Sequence, residues 1–207
     1  MSSVKIVPVG SLVVDSLPFS QAGTAGQAIY VKAQCVRAMV GYLGVINQAR
    51  LAHVLNAGLG FMPVTLAGEY TDGPQDELAQ LKALGIPPGT TVWLDLEGMK
   101  AWKADPKMLI QQIEDWAAPI AAAGYVAGLY AGVPQPLTSK ELGDLKRITR
   151  YWKGQGRQVD RTGALSEPTN GWCMTQMFPS YSMGGVWIDA NMVGSDYKGR
   201  VPTMVSL

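Results

Sequence analysis

The sequence predicts an α/β protein, a single compact (β/α)8 barrel, and three observations carry that expectation. Short apolar runs alternate along the chain with amphipathic segments, as parallel strands joined by helical crossovers require. About eight such runs can be counted, which favours closure into a TIM-type barrel over an open sheet. The chain's 207 residues suit one domain, 1–207, but sit near the lower limit for eight β/α units, so connections must be short. An open doubly wound sheet is the alternative.

The first strand is read over 10–17, around Leu12, Val13 and Val14, and the second over 37–43. A helix follows from Asn47, a natural N-cap, to Ala57, with Leu51, Val54 and Leu55 on one face and Gly58 as its stop. The third strand spans 59–66, with Pro63 counting against a central position. Pro74 opens a helix lined by Leu78, Leu81 and Leu84 and ended by Gly85 and Pro87. The fourth strand, 91–97, is the clearest, Thr-Val-Trp-Leu-Asp-Leu-Glu. Asp105-Pro106 starts a helix whose Leu109, Ile113, Trp116 and Ile120 form one apolar stripe, with a kink expected at Pro119. A fifth strand covers 125–130, and Thr138 with Glu141 makes a capping box for the next helix. Later strands are read over 148–153, 172–178 and 186–191, and 154–171 as an irregular connection.

Composition excludes several function classes. The net charge is +1 and no basic run stands out, so neither a nucleic acid nor an anionic membrane surface is an expected partner. A neutral or mildly charged ligand fits better. No apolar run reaches the roughly 18 residues of a membrane span; the most apolar stretch, 113–133, is broken by Glu114, Asp115 and Pro119. The opening Met1-Ser2-Ser3-Val4-Lys5 lacks the features of a secretory signal. The expectation is a chain cytoplasmic as synthesised, with any release by phage lysis or a secretion system. Cys35 and Cys173 show no metal spacing and no Cys-x-x-Cys. Two buried free thiols are expected, with a single disulfide as the alternative. The one histidine, His53, falls on an amphipathic helix, which removes His-based triads and multi-His metal sites. Neither a phosphate-binding loop nor a dinucleotide fingerprint is present.

What remains is a set of acids at strand ends. Asp15 follows Leu12-Val13-Val14, Asp95 and Glu97 follow Val92-Trp93, and Asp189 follows Val186-Trp187-Ile188. In a β/α barrel the C-terminal strand ends carry the active site. Asp95 and Glu97, two apart on a strand, would share a face. Carboxylates on an inward face cost solvation unless a polar cleft receives them, and close like charges raise one acid's affinity for its proton. Tyr42, Tyr130, Trp152, Trp172 and Trp187 also fall at strand ends; such faces can stack on sugar rings or simply pack the core. Gln176 is a candidate hydrogen-bonding group. A carboxylate-bound Mg²⁺ is the less favoured alternative, and no metal or cofactor is assigned.

The segment 92–98, Val-Trp-Leu-Asp-Leu-Glu-Gly, together with 57–64, Ala-Gly-Leu-Gly-Phe-Met-Pro-Val, resembles the glycoside-hydrolase-like domain of unknown function related to the family-twenty-five lysozymes. The segments 172–176 and 185–191 resemble that pattern's Trp-x-Gln-like and Asp-x-Asn strands. The resemblance covers nearly the whole chain. It implies a bacterial or phage hydrolase acting on cell-wall peptidoglycan, in which Glu97 is the general acid and Asp95 steers the substrate's own acetamido group. Asp15 and Asp189 match the acids of the first and last strands, with Tyr42, Tyr130, Trp152, Gln176 and Trp187 binding substrate. Two departures stand out: Val-Val-Asp-Ser-Leu replaces the usual Gly-x-Asp-x-Ser, and Trp-Cys-Met-Thr-Gln is more widely spaced. They motivate two further readings, a carbohydrate-binding module that has lost catalysis and a phage or structural interaction protein.

Overall fold

A computed structural model of the chain describes residues 2–66, 72–97, 105–132 and 135–207, with Phe178 and Pro179 described in their backbone alone. In order, the elements are β1 (Ser3–Ile6), β2 (Leu12–Asp15), α1 (Leu17–Ala22), α2 (Ala25–Ala33), β3 (Ala38–Tyr42), α3 (Gln48–Asn56), β4 (Gly60–Leu66) and α4 (Pro74–Ala83). They continue with β5 (Thr91–Asp95), α5 (Pro106–Ala122), β6 (Val126–Ala131), α6 (Ser139–Asp144), β7 (Arg150–Lys153), β8 (Met174–Met183), β9 (Val186–Val193) and β10 (Thr203–Ser206).

Strands β2 to β9 close into an eight-stranded barrel. From β2 through β8 each neighbour runs parallel. Strand β9 is antiparallel to both β8 and β2, and so completes the ring in mixed sense. The extra strands β1 and β10 pair with each other, and β10 joins the barrel on β4. Closure excludes the open doubly wound sheet.

The structure also corrects the expected (β/α)8 TIM barrel. The described residues hold six helices, and helix no longer alternates with strand after β7. The cause is local. Between β7 and β8 the chain is polar and glycine-rich, without the apolar period a helix needs. Between β8 and β9 it turns through Gly184 and Gly185, at φ 62 and 78. Met183 pairs with Val186 across that two-residue turn, which is hairpin geometry and forces β9 antiparallel.

Two apolar layers hold the barrel. Inside it lie Val13, Val40, Met62, Val64, Trp93 and Met174, all buried. Between barrel and helices lie the alternate strand residues, Val14, Met39, Phe61, Leu94 and Leu129, against Leu51, Leu81, Ile113 and Ile120 of the helices. Strand β5 is therefore buried along its whole length, which explains its unbroken apolar run. In α5 the expected stripe is the buried face, joined by Ala117, and the helix continues past Pro119 to Ala122. Strand β4 pairs Pro63 with Gly41 of β3, while its pairing with β5 begins one residue later, at Val64.

Helices α1 and α2 and strands β1 and β10 were not expected. Ser16 caps α1, with its side chain accepting from the Phe19 N–H. Thr24 and Gln27 form a full capping box at α2. Both cysteines are free, but only Cys173 is buried; Cys35 is exposed.

Candidate functional site

The C-terminal ends of the parallel strands bring the candidate acids together. Asp15 ends β2, Tyr42 ends β3 and Asp95 ends β5. Because β9 runs the other way, its Asp189 lies directly opposite Asp15 in the ladder. Glu97 lies just beyond β5, so it is not held by the strand's own alternation. Its backbone N–H donates to Asp95 Oδ1 at 2.8 Å, a short turn that ends the strand. Gly132 gives the Glu97 side chain its room: a Cβ there would lie 2.3 Å from Glu97 Cγ.

The polar groups are chained. The Tyr130 hydroxyl lies 2.9 Å from Glu97 Oε1 and 2.8 Å from Gln176 Oε1, and its single proton serves one acceptor at a time. Gln176 Nε2 donates to Asp189 Oδ2 at 2.7 Å, and the Ser180 hydroxyl donates to the other oxygen of Asp189. On the far side, Asn191 Nδ2 donates to Asp15 Oδ2 at 2.7 Å. Asn191 is in turn held by Trp152 Nε1, 2.9 Å from its Oδ1. Sequence reasoning singled out Asp189, included Asn191 only as part of the Asp-x-Asn pattern with no role of its own, and missed Ser180. The signal for Asn191 was its spacing of two from Asp189, which puts both on one strand face.

The aromatic candidates divide. Trp152 is buried, tilted against Tyr130 at 4.4 Å between centroids and edge-on to Trp93 at 5.6 Å. It forms the floor of the site and offers no free face. Trp172 packs edge-on against Tyr151 in the outer layer, 6.4 Å between centroids, and takes no part in the cluster. Trp187 is different: it is 59% exposed, two residues beyond Asp189 on the same face of β9. Its backbone carbonyl accepts from the Ser16 hydroxyl at 2.6 Å, which fixes this strand beside the end of β2.

Electrostatics follow from crowding. Burial holds the Asp15 carboxyl well above its ordinary range; the Asn191 hydrogen bond opposes this, and Asp189, Asp95 and Glu97 reinforce it. The Tyr42 hydroxyl is pushed up by burial and then by the same four carboxylates. The Tyr130 hydroxyl is pushed up by burial and by Glu97. All four ion pairs found among the described residues lie elsewhere, so no described lysine or arginine neutralises Asp15, Glu97 or Asp189. Among the described residues there is also no group of three or more His, Cys, Asp or Glu side chains arranged to hold a metal. No described helix is long and apolar enough to cross a membrane.

The lysozyme assignment does not survive this geometry. Glu97 is exposed and accepts a phenolic hydrogen bond, whereas a general acid of that kind is kept in an apolar, water-poor setting. The barrel is of mixed strand sense, not the eightfold β/α repeat on which the assignment depended, and Gly98 of its most specific motif lies outside the described residues. The glycosidase activity, and the disabled-enzyme and phage-component readings built on the same fold, fall with it. No family model matches the chain, and neither does any curated protein or solved structure, so the resemblance to the family-twenty-five lysozymes has no support.

Proposed function

We propose that the carboxylate end of the barrel recognises an amino-sugar glycan of the peptidoglycan type. The observation that carries this reading is the pairing on β9 of an exposed indole, Trp187, with Asp189, whose oxygens belong to a fixed hydrogen-bond chain. Ionised carboxylates only accept hydrogen bonds, so the ligand must bring donors. Sugar hydroxyls and acetamido N–H groups supply them without adding negative charge. The apolar face of a pyranose ring fits an exposed indole. An anionic ligand would meet Asp15, Glu97 and Asp189, none of which pairs with a described lysine or arginine. A wall glycan lies outside the cytoplasm, so the protein would act there after release by lysis or a secretion system.

Calorimetric titration with N-acetylglucosamine oligomers and soluble peptidoglycan fragments tests the reading. Saturable binding is expected, weakened roughly tenfold by Trp187→Ala, the loss of about one aromatic contact. Asp189→Asn should weaken it as well. Absence of binding at millimolar ligand, or equal affinity in wild type and both variants, would overturn it.

A further inference from the structure

Strand β3 ends on a tyrosine whose hydroxyl is left over. Tyr42 lies two residues past Val40, so both side chains share the inner face of the barrel. Val40 is the ladder partner of Asp15, which places Tyr42 about 7 Å farther along β3, toward the carboxylate end. Its ring packs on the inner apolar layer, and its backbone N–H donates to Ser20 Oγ at 3.0 Å. Strand and core therefore set the position of the ring without help from the hydroxyl.

Neighbouring hydroxyls are committed. That of Tyr130 is shared by Glu97 and Gln176, Ser180 donates to Asp189, and Ser16 donates to the Trp187 carbonyl. The Tyr42 hydroxyl has no hydrogen-bond partner among the described residues. Nor is it sealed off, as the unpartnered Trp93 Nε1 is; the residue is part-buried and the hydroxyl reaches solvent. Burial first, and then the fields of Asp15, Asp95, Glu97 and Asp189, hold its proton in place. A phenol that keeps its proton remains a donor, here set among carboxylates that, when ionised, only accept.

We infer that the Tyr42 hydroxyl reads the acetamido carbonyl of the glycan, and so selects N-acetylated sugars over those with a plain hydroxyl at that carbon. This role rests on recognition of an amino-sugar glycan at the same end of the barrel, and adds what chooses the sugar. A secondary amide offers one donor and one acceptor that point in opposite directions. Carboxylates can take its N–H, whereas its carbonyl needs a donor. The carbonyl is neutral, so it enters the field of the acids without the repulsion an anion would meet. Its oxygen stands farther from the sugar ring than a hydroxyl oxygen does, so a phenol placed for the first is badly placed for the second.

The test is calorimetric titration of the full chain with β-1,4-linked tetramers of N-acetylglucosamine and of glucose. Wild type should prefer the acetylated tetramer roughly 2- to 10-fold, the worth of one hydrogen bond. Tyr42→Phe keeps the ring, and should lower affinity for the acetylated tetramer by that factor and bring the two ligands level. Trp187→Ala should weaken both ligands and keep the preference, since an indole stacks on either ring. The urea midpoint of Tyr42→Phe should match wild type, because no internal hydrogen bond is lost. With both tetramers bound, three results would each overturn the role of Tyr42 and leave glycan recognition standing: no preference in wild type, a preference that survives Tyr42→Phe or vanishes equally in Trp187→Ala, or a lowered midpoint in Tyr42→Phe. Binding of neither tetramer would overturn both.

Discussion

Replacing Asp15 by asparagine should stabilise the protein at neutral pH, because the wild type places a buried carboxylate opposite another acid. Asp15 and Asp189 are direct partners in an antiparallel ladder, where facing Cβ atoms stand about 5 Å apart and like charges destabilise. Were both carboxyls ionised at about that separation, the repulsion at an effective dielectric of about 20 would be about 3 kcal/mol, which sets a ceiling. Asp189 is partly open to solvent, which screens the interaction and brings the expected gain to roughly 1–3 kcal/mol. Asparagine keeps an oxygen for the Asn191 donor, so the change removes charge without stranding a partner. The pH dependence has a definite sign. Burial holds the Asp15 carboxyl above its ordinary value, so the folded state keeps a proton that the unfolded chain releases near pH 3.9. This contribution to stability is complete below about pH 3.9 and is lost as the pH rises through the folded-state value. Urea denaturation should therefore show Asp15→Asn more stable than wild type at pH 7 and equal to it near pH 3. A variant less stable at pH 7, or a difference that ignores pH, would refute the reasoning.

Two further outcomes follow from buried groups away from the site. Glu77 of α4 is 3% exposed and accepts from the Thr65 hydroxyl at 2.8 Å and from Trp116 Nε1 at 2.6 Å. Glu77→Ala takes the acceptor from the buried Trp116 Nε1, at about 1–3 kcal/mol, so urea unfolding should show a loss of about that size, and Glu77→Gln a smaller one. A loss below about 1 kcal/mol in the alanine variant would mean that the donors find other partners. Cys35 is exposed and Cys173 is buried, with its thiol pushed up to about 12 mainly by burial. A thiol reagent should titrate one cysteine in the native protein and two after unfolding; two in the native state would contradict the burial of Cys173.

How far the sequence reveals this fold depends on whether each element's cause is local. Strand β5 and helix α5 declare themselves, since an unbroken apolar run and a regular stripe report burial directly. Helix α1 has only six residues, too short to show an apolar period, so its local signals are confined to the Ser16 cap and the proline in its first turn. Strands β1 and β10 have no such signal. They exist because Ser3 meets Ser206 and Ile6 meets Thr203, a pairing across nearly the whole chain that no window of sequence contains. The wrong architecture has a narrower origin. Two adjacent glycines between apolar runs are a hairpin signal, and Gly184-Gly185 was the place to find that β9 reverses. That reversal also makes the acid cluster. In an all-parallel ring β9 would point its other end toward Asp15; reversed, it sets Asp189 across from Asp15 and lifts Trp187 beyond them both. The residues of the site were therefore readable one at a time, as acids at strand ends, while their juxtaposition depended on a turn two residues long. A chain whose acids gather through strand reversal need not share the chemistry of barrels that gather them by repetition. That is why strand-end acids that suggest a hydrolase in the sequence do not establish one in this barrel.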